Sequence, residues 1–440
     1  MKNYKLILLV LLSVVLTSSC KKFVEGVNDN PNSFTDMGAE LIIGQAQMAA
    51  IATSESQTSR FAGIFTDQFT GHDRQFIPYD KYDVPAANSN DIWSTFYHRG
   101  ATQAKLAMEK AIEENNTPLE GVSEIFYAYF IAETAILFGD VPNSEAFDEE
   151  NPNPHYDAQA TVIDDAIAKL TDALTKVSAN QKFNRVFVSN NFNWVEVAHS
   201  LKARYYLAKK DYTNALSEAQ QGISAANKGL FAEHDRDAGK KNLYYQFCVE
   251  QRGGYLTAHG SGANQNSGST LKRWLITRPS GLTSPGDAQR DAKYFDSYNL
   301  NTGDDGYFAK DAPFPIVSWV ETKLIEAEAA QRTGGDALTP FNAVRSHLET
   351  EYNIGGGFPA SSSSGNQLLK EILEEKYLSL IGSVQVFQDI RRTDNLIGVQ
   401  VKGTGHTTIP QRFLYPQTEI NANSNFPGLV DMFAKTPINQ

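Results

Sequence analysis

Cys20 has the setting most suited to covalent chemistry. Lys2 and Lys5 precede an apolar run from Leu6 to Leu16, and Thr17-Ser18-Ser19-Cys20 follows. A basic start, a short apolar stretch and small residues make a secretory signal peptide. The run is too short to hold a bilayer as a stable anchor. A cysteine directly after the small residues has the form of a bacterial lipobox, in which the thiol is acylated and the preceding peptide removed. Residues 1–19 are therefore expected to be cut away and Cys20 to carry lipid. The other cysteine, Cys248, then has no partner and reads as a small buried apolar residue.

Signals for catalysis are weak. No two of the eight histidines stand at helical metal-ligand spacing, so no metal site is expected. His259-Gly260-Ser261-Gly262 is a Gly/Ser loop without the strand-turn-helix setting of a nucleophile. Glu374-Glu375 and Asp304-Asp305 are carboxylate pairs, but adjacency in sequence says nothing of the separation a glycosidase needs. Asn301–Gly306 has the outline of a calcium loop, yet position 312 is Ala where a bidentate Glu belongs. It reads as a turn. No cofactor motif is present.

Binding residues are more plentiful. Rings that stack on C–H faces, beside planar donors and acceptors, suit an oligosaccharide. One aperiodic stretch, residues 66–90, supplies Phe69, His72, Arg74, Phe76, Tyr79, Tyr82, Asn88 and Asn90. A second, residues 229–315, supplies Arg252, Tyr255, Asn264, Trp274 and Arg278. The ligand set drawn from these is Trp274, Arg278, Tyr255, Arg252, Arg74, Tyr79, Tyr82 and Asn90. Trp274 leads it, lying between a Gly/Ser/Asn-rich stretch and a basic segment.

These loops must be held by a scaffold, and the scaffold reads as helical. Period-3.6 patterns cover 39–52, 92–113, 119–138, 158–177, 192–208, 212–226, 317–332, 336–351 and 368–381. Two pairs are joined by very short turns, at Lys209-Lys210-Asp211 and Gly334-Gly335. In the first, Ala203 and Tyr206 precede the turn, and Tyr212, Ala215, Leu216, Ala219 and Ile223 follow it. In the second, Ala327 and Ala330 precede it, and Ala337, Phe341 and Val344 follow. Small residues at close crossings, with an aromatic near the turn, resemble tetratricopeptide hairpins. They also suit generic antiparallel helix packing. The hairpins are not tandem at a fixed period, so they read as a scaffold with long insertions. Residues 20–36 read as a tether and 37–440 as one helical domain with a loop-rich insertion at about 229–315. Net charge over the 440 residues is −12, with no basic run beyond short pairs. An acidic chain is a poor partner for nucleic acid on electrostatic grounds.

Together these features resemble the SusD/RagB family of nutrient-binding outer-membrane lipoproteins, in a divergent branch. The resemblance rests on ordered segments. They are Val24–Asn32, Trp93-Ser94-Thr95-Phe96-Tyr97, Phe138-Gly139-Asp140-Val141-Pro142, and Glu326-Ala327-Glu328-Ala329 with Arg332 and Gly334. Further on come Leu373-Glu374-Glu375-Lys376, Phe387–Arg392, and Pro410–Pro416 with Glu419. The resemblance implies a mostly α fold on four tetratricopeptide-like hairpins. It also implies a lipid-anchored protein on the outer membrane, facing the cell surface, that is not an enzyme. Its implied role is to capture oligosaccharides or peptides for a SusC-like TonB-dependent transporter. Glu328, Arg332, Asp389 and Arg412 read as buried polar contacts rather than ligand contacts. The alternatives are a lipid-anchored glycoside hydrolase, or a tetratricopeptide-type assembly protein without a small ligand.

Overall fold

The computed structural model describes residues 37–440, apart from 149, 180–182, 184–185, 188–190 and 262–265. The leader, Cys20 and the tether lie outside the described residues, as does Asn264.

The scaffold helices are α1 (Ala39–Glu55), α2 (Gln57–Phe65), α3 (Thr102–Glu113), α4 (Thr117–Phe138), α5 (Gln159–Ala173), α6 (Trp194–Ala208), α7 (Tyr212–Ala219), α8 (Trp319–Thr333), α9 (Leu338–Glu351), α10 (Gly365–Ser379) and α11 (Val384–Arg392). From α3 to α9 each packs on the next, and α1 closes on α3. The mostly α fold is as the sequence predicts. Helix α4 is apolar on nearly all sides because neighbours cover it on nearly all sides. By length and composition it could cross a membrane, but its most apolar stretch is almost wholly buried in the protein. Asn116 caps it, accepting from the Leu119 N–H, and it stops at Gly139, whose φ of 101° suits glycine.

The two predicted hairpins form. Ala203, Ala215, Ala219 and Ala329 let α6, α7 and α8 approach closely. Ala327, Ala330, Ala337, Phe341 and Val344 do the same between α8 and α9. Lys210 turns the first hairpin in a left-handed conformation (φ 63°), and Asp211 then caps α7. Gly334 turns the second (φ 78°).

Three departures have physical causes. The helix predicted over 92–113 is interrupted by a wide π-turn at Thr95–Ala101. There Gly100 takes the Phe130 ring so closely that a Cβ would sit 2.6 Å from it. Helix α7 ends at Ala219 rather than near 226, because the Ser200 hydroxyl on α6 takes up the Ile223 N–H at 2.9 Å. Helix α2 has no counterpart in the predicted pattern. It is buried around Phe61 and Phe65, which meet Phe387 and Phe413 in an aromatic core.

The insertion is ordered by short elements rather than long ones. Strands β1 (Thr70–Gly71), β2 (Leu230–Ala232), β3 (Leu256–Thr257), β4 (Phe295–Asp296), β5 (Asn299–Leu300) and β6 (Phe314–Val317) form two small antiparallel sheets. One has the order β1-β3-β5-β4, and β2 pairs with β6 in the other. The first joins residues 66–90 to the large insertion: Thr70 faces Thr257, and Gly71 faces Leu256. Asn301–Gly306 is a surface turn in which Asn301 Oδ1 accepts from the Gly303 N–H and Asp304 pairs with Arg236.

Buried ion clusters fix these parts together. Glu375 on α10 accepts from Arg278 (2.8 Å) and Arg290 (2.7 Å) of the insertion, with Arg345 of α9 at 3.3 Å. Burial alone would raise its pKa. The three guanidiniums outweigh that and hold the carboxyl well below the usual range. Glu328 similarly gathers Arg392 (2.7 and 2.8 Å), Arg332 (2.9 Å) and Lys376 (3.3 Å). Arg412 donates to the Phe138 carbonyl, beneath the Gly139 turn. Glu328, Arg332, Asp389 and Arg412 are thus structural contacts, as read from the sequence.

Candidate functional site

A cleft of about 630 Å³ opens where three loop segments converge. Residues 70–81 supply one wall, His259–Ser261 with Asn266 a second, and residues 400–404 the third. Its floor is polar and fixed. Buried Lys402 donates to the Phe69 carbonyl (2.7 Å) and pairs with Asp80 (2.6 Å) and Asp67 (3.2 Å). Burial opposes the Lys402 charge, but the two carboxylates prevail and raise its pKa. Burial raises that of Asp67 against the pull of Lys402, and Asp67 also accepts from the Thr270 hydroxyl and N–H. Asp80 accepts from the Gly71 N–H (3.1 Å) and from Ser261.

The rim carries stacked rings. His72 stacks on His259 with centroids 4.3 Å apart and planes 12° apart. His259 stacks in turn on Tyr298 at 4.6 Å and 24°. The ladder exists because β1 and β3 pair in the stated register: His72 follows β1 and His259 follows β3. The Thr257 hydroxyl bonds His259 Nδ1 at 3.0 Å, and Thr70 donates to the His259 carbonyl. Partial burial lowers the His259 pKa, and neighbouring His72 lowers it further. His72 is exposed, so the outer end of the ladder faces solvent. Ile77 lies 42% exposed beside it.

The predicted ligand set divides. Arg74, Arg252 and Tyr255 come together at the sheet edge: both guanidiniums lie over the Tyr255 ring, 5.9 and 5.7 Å from its centroid. The His72 N–H donates to the Tyr255 carbonyl at 2.9 Å, which places this group beside the ladder. The others serve packing, which corrects the sequence reading. Trp274 is 8% exposed and lies on Tyr377 of α10, with centroids 5.0 Å apart. Arg278 is buried and held by Asp287 (2.7 Å) and Glu375 (2.8 Å), so its donors are already used. Tyr82 is buried, and its hydroxyl accepts from the Lys402 N–H at 2.8 Å. Tyr79 packs its ring against Phe61 and Phe76. Asn90 accepts from the Thr418 N–H at 3.2 Å and is not among the cleft's lining residues. Cys248 is half-buried rather than enclosed, and desolvation pushes its thiol up to about 12.

The sequence reading did not select His259, Tyr298, Lys81 or Lys402. His72 was within the first loop's inventory without being chosen. The β1–β3 and β3–β5 pairings and the Lys402 ion pairs bring these residues together, and two-residue strands leave no periodic trace. A second, more apolar cleft of about 470 Å³ is lined by Phe231, Tyr307, Trp319, His347 and Tyr352. Trp319 stands over His347 with centroids 5.3 Å apart.

The helical-hairpin scaffold thus presents an open, polar-floored cleft on its loops. Residues 31–242 match the SusD-like family model described as "Starch-binding associating with outer membrane", and the mostly α fold is the SusD-like one. Solved structures share the fold. A SusD/RagB family protein from Bacteroides thetaiotaomicron is 19% identical, with a TM-score of 0.66 over 89% of this chain and 95% of that one. A SusD homolog from Parabacteroides distasonis is 15% identical, with a TM-score of 0.69 over 91% and 96%. A chitin-binding protein is 16% identical, with a TM-score of 0.68 over 91% and 100%. At these identities the likeness is one of fold. No curated protein matches the sequence.

Proposed function

We propose that the protein is a nutrient-binding lipoprotein of the outer membrane, anchored through Cys20 and facing the cell surface. It captures oligosaccharides in the cleft beside the His72–His259–Tyr298 ladder and passes them to a SusC-like TonB-dependent transporter. The observation that carries this reading is the ladder itself: rings at the mouth of an open cleft whose floor is already hydrogen-bonded. Such a site offers stacking to C–H faces and needs little reorganisation on binding. The family description and the chitin-binding structural neighbour support an oligosaccharide as the ligand class. A two-carboxylate hydrolysis draws no support from the cleft. Asp80 is the one carboxylate among its described lining residues, and it is ion-paired with Lys402.

The test is calorimetry on the purified chain with a panel of neutral oligosaccharides, before and after His72→Ala. Removal of the outer ring should weaken binding roughly tenfold, or about 1.4 kcal/mol, with product analysis showing no chain shortening. Unchanged affinity, or cleavage lost on Asp80→Asn, would sink the proposal.

A further inference from the structure

The protein is acidic overall, but its cleft is not. Asp80 is the cleft's one described carboxylate, and its oxygens are taken by Lys402, Ser261 and the Gly71 N–H. Lys81 is exposed on the wall and has no ion pair among the described residues. Beyond His72, at the same sheet edge, Arg74 and Arg252 bring two guanidiniums to the single ring of Tyr255. Arg252 is exposed and has no carboxylate partner among the described residues. The nearest acid to Arg74 is its own neighbour Asp73, at 3.6 Å, with the two side chains 74% and 47% exposed. Such a solvated contact is weak.

Arg74 also holds a left-handed backbone (φ 45°), uncommon for a residue with a long side chain. The turn that imposes it is bonded through Phe76 N–H to the Asp73 carbonyl and Ile77 N–H to the Arg74 carbonyl. The guanidinium is therefore carried on a fixed turn beside the cleft. Several other arginines are held by buried carboxylates, as at Glu375 and Glu328. Here two are left with their forks to solvent. A planar fork pairs with a carboxylate or sulfate through two parallel hydrogen bonds, and the aromatic face beneath keeps it oriented.

We propose that the cleft's ligand is an acidic oligosaccharide, with a uronate carboxylate or sulfate ester held by Arg74 and Arg252 and the neutral sugar faces stacked on the ladder. Lys81 continues the positive surface along the wall. The proposal rests on the oligosaccharide reading above and narrows it to anionic chains.

The experiment is calorimetry with tetragalacturonate, its fully methyl-esterified form and chitotetraose. The acid should bind at least tenfold more tightly than its ester. Its affinity should fall as NaCl rises from about 50 to about 500 mM, because exposed charges are screened over that range. Arg252→Gln and Arg74→Asn should each weaken acid binding about threefold to tenfold and weaken ester binding less, so that the preference for the acid over its ester shrinks. Asn is chosen at position 74 because it tolerates the left-handed backbone. Arg252→Lys should restore part of the loss. Thermal melts of each variant, matching the parent, establish that folding is intact. Equal affinity for acid and ester, or no binding of the acid, overturns the proposal. Binding of chitotetraose that depends on His72, with the acid unbound, leaves the oligosaccharide reading standing and removes only this one. If none of the three binds, both fall.

Discussion

Trp274 and Arg278 show why residue type alone does not locate a binding site. An indole between a Gly/Ser/Asn-rich stretch and a basic segment has the composition of a ligand platform. Its helix, Thr270–Trp274, instead turns the ring onto Tyr377. Trp274→Ala should therefore cost about 3–5 kcal/mol of stability through the cavity it leaves. Chemical denaturation would measure that loss. A normal melt accompanied by loss of oligosaccharide binding would contradict this placement. Arg278 teaches the same lesson electrostatically: the sequence shows a charge, but not the two carboxylates that absorb it. Arg74, Arg252 and Tyr255 were legible as candidates. Their meeting on one ring was not, because it depends on pairing between segments some 180 positions apart in the chain.

At the scale of elements, the long helices were legible because their periodicity is sustained and their turns carry distinctive residues. Lys209-Lys210-Asp211 and Gly334-Gly335 marked both hairpins. The insertion was not legible beyond being ordered, since its strands are two to four residues long and its order comes from ion pairs and hydrogen bonds. One such pair has a measurable consequence. His234, just after β2, meets the fully buried Glu55 at the end of α1 at 2.8 Å, and its other ring nitrogen faces the Lys240 carbonyl. Burial opposes charge on His234, but Glu55 prevails and raises the histidine pKa. Burial in turn raises that of Glu55.

The folded pair thus retains a proton that the unfolded chain releases above the ordinary histidine pKa of about 6.5. The stabilisation is fully present below that pH and is lost as pH rises through the raised value in the fold. Melting temperature should accordingly decline from about pH 6.5 upward. His234→Gln should flatten that part of the profile. A parent profile level from there to pH 9 would refute the coupling.

For the whole molecule, the fold class followed from periodicity and the family from ordered motifs. The lipid anchor was inferred from the leader alone. Replacing the Cys20 thiol is the direct check: with Cys20→Ala, the protein should leave the outer-membrane fraction and appear in the soluble fraction. An unchanged membrane distribution would place the attachment elsewhere. Tethering would keep the cleft at high effective concentration near a transporter while allowing the domain to move.

Glu375 has a bearing on how such a molecule diversifies. It clamps arginines from two points of the insertion and one of α9, while the rings and arginines of the rim stand on separate short turns. Clamp and rim therefore rest on different residues. Substitutions at Arg74, Arg252 or His72 alter what is recognised without loosening the foundation. A change at Glu375 removes the carboxylate that three buried guanidiniums share, leaving Asp287 to Arg278 and Arg290 and no carboxylate to Arg345, at a cost of about 3–5 kcal/mol. The rim is consequently the part of this chain that can be retailored or transplanted, and the clamp is the part that must be inherited intact.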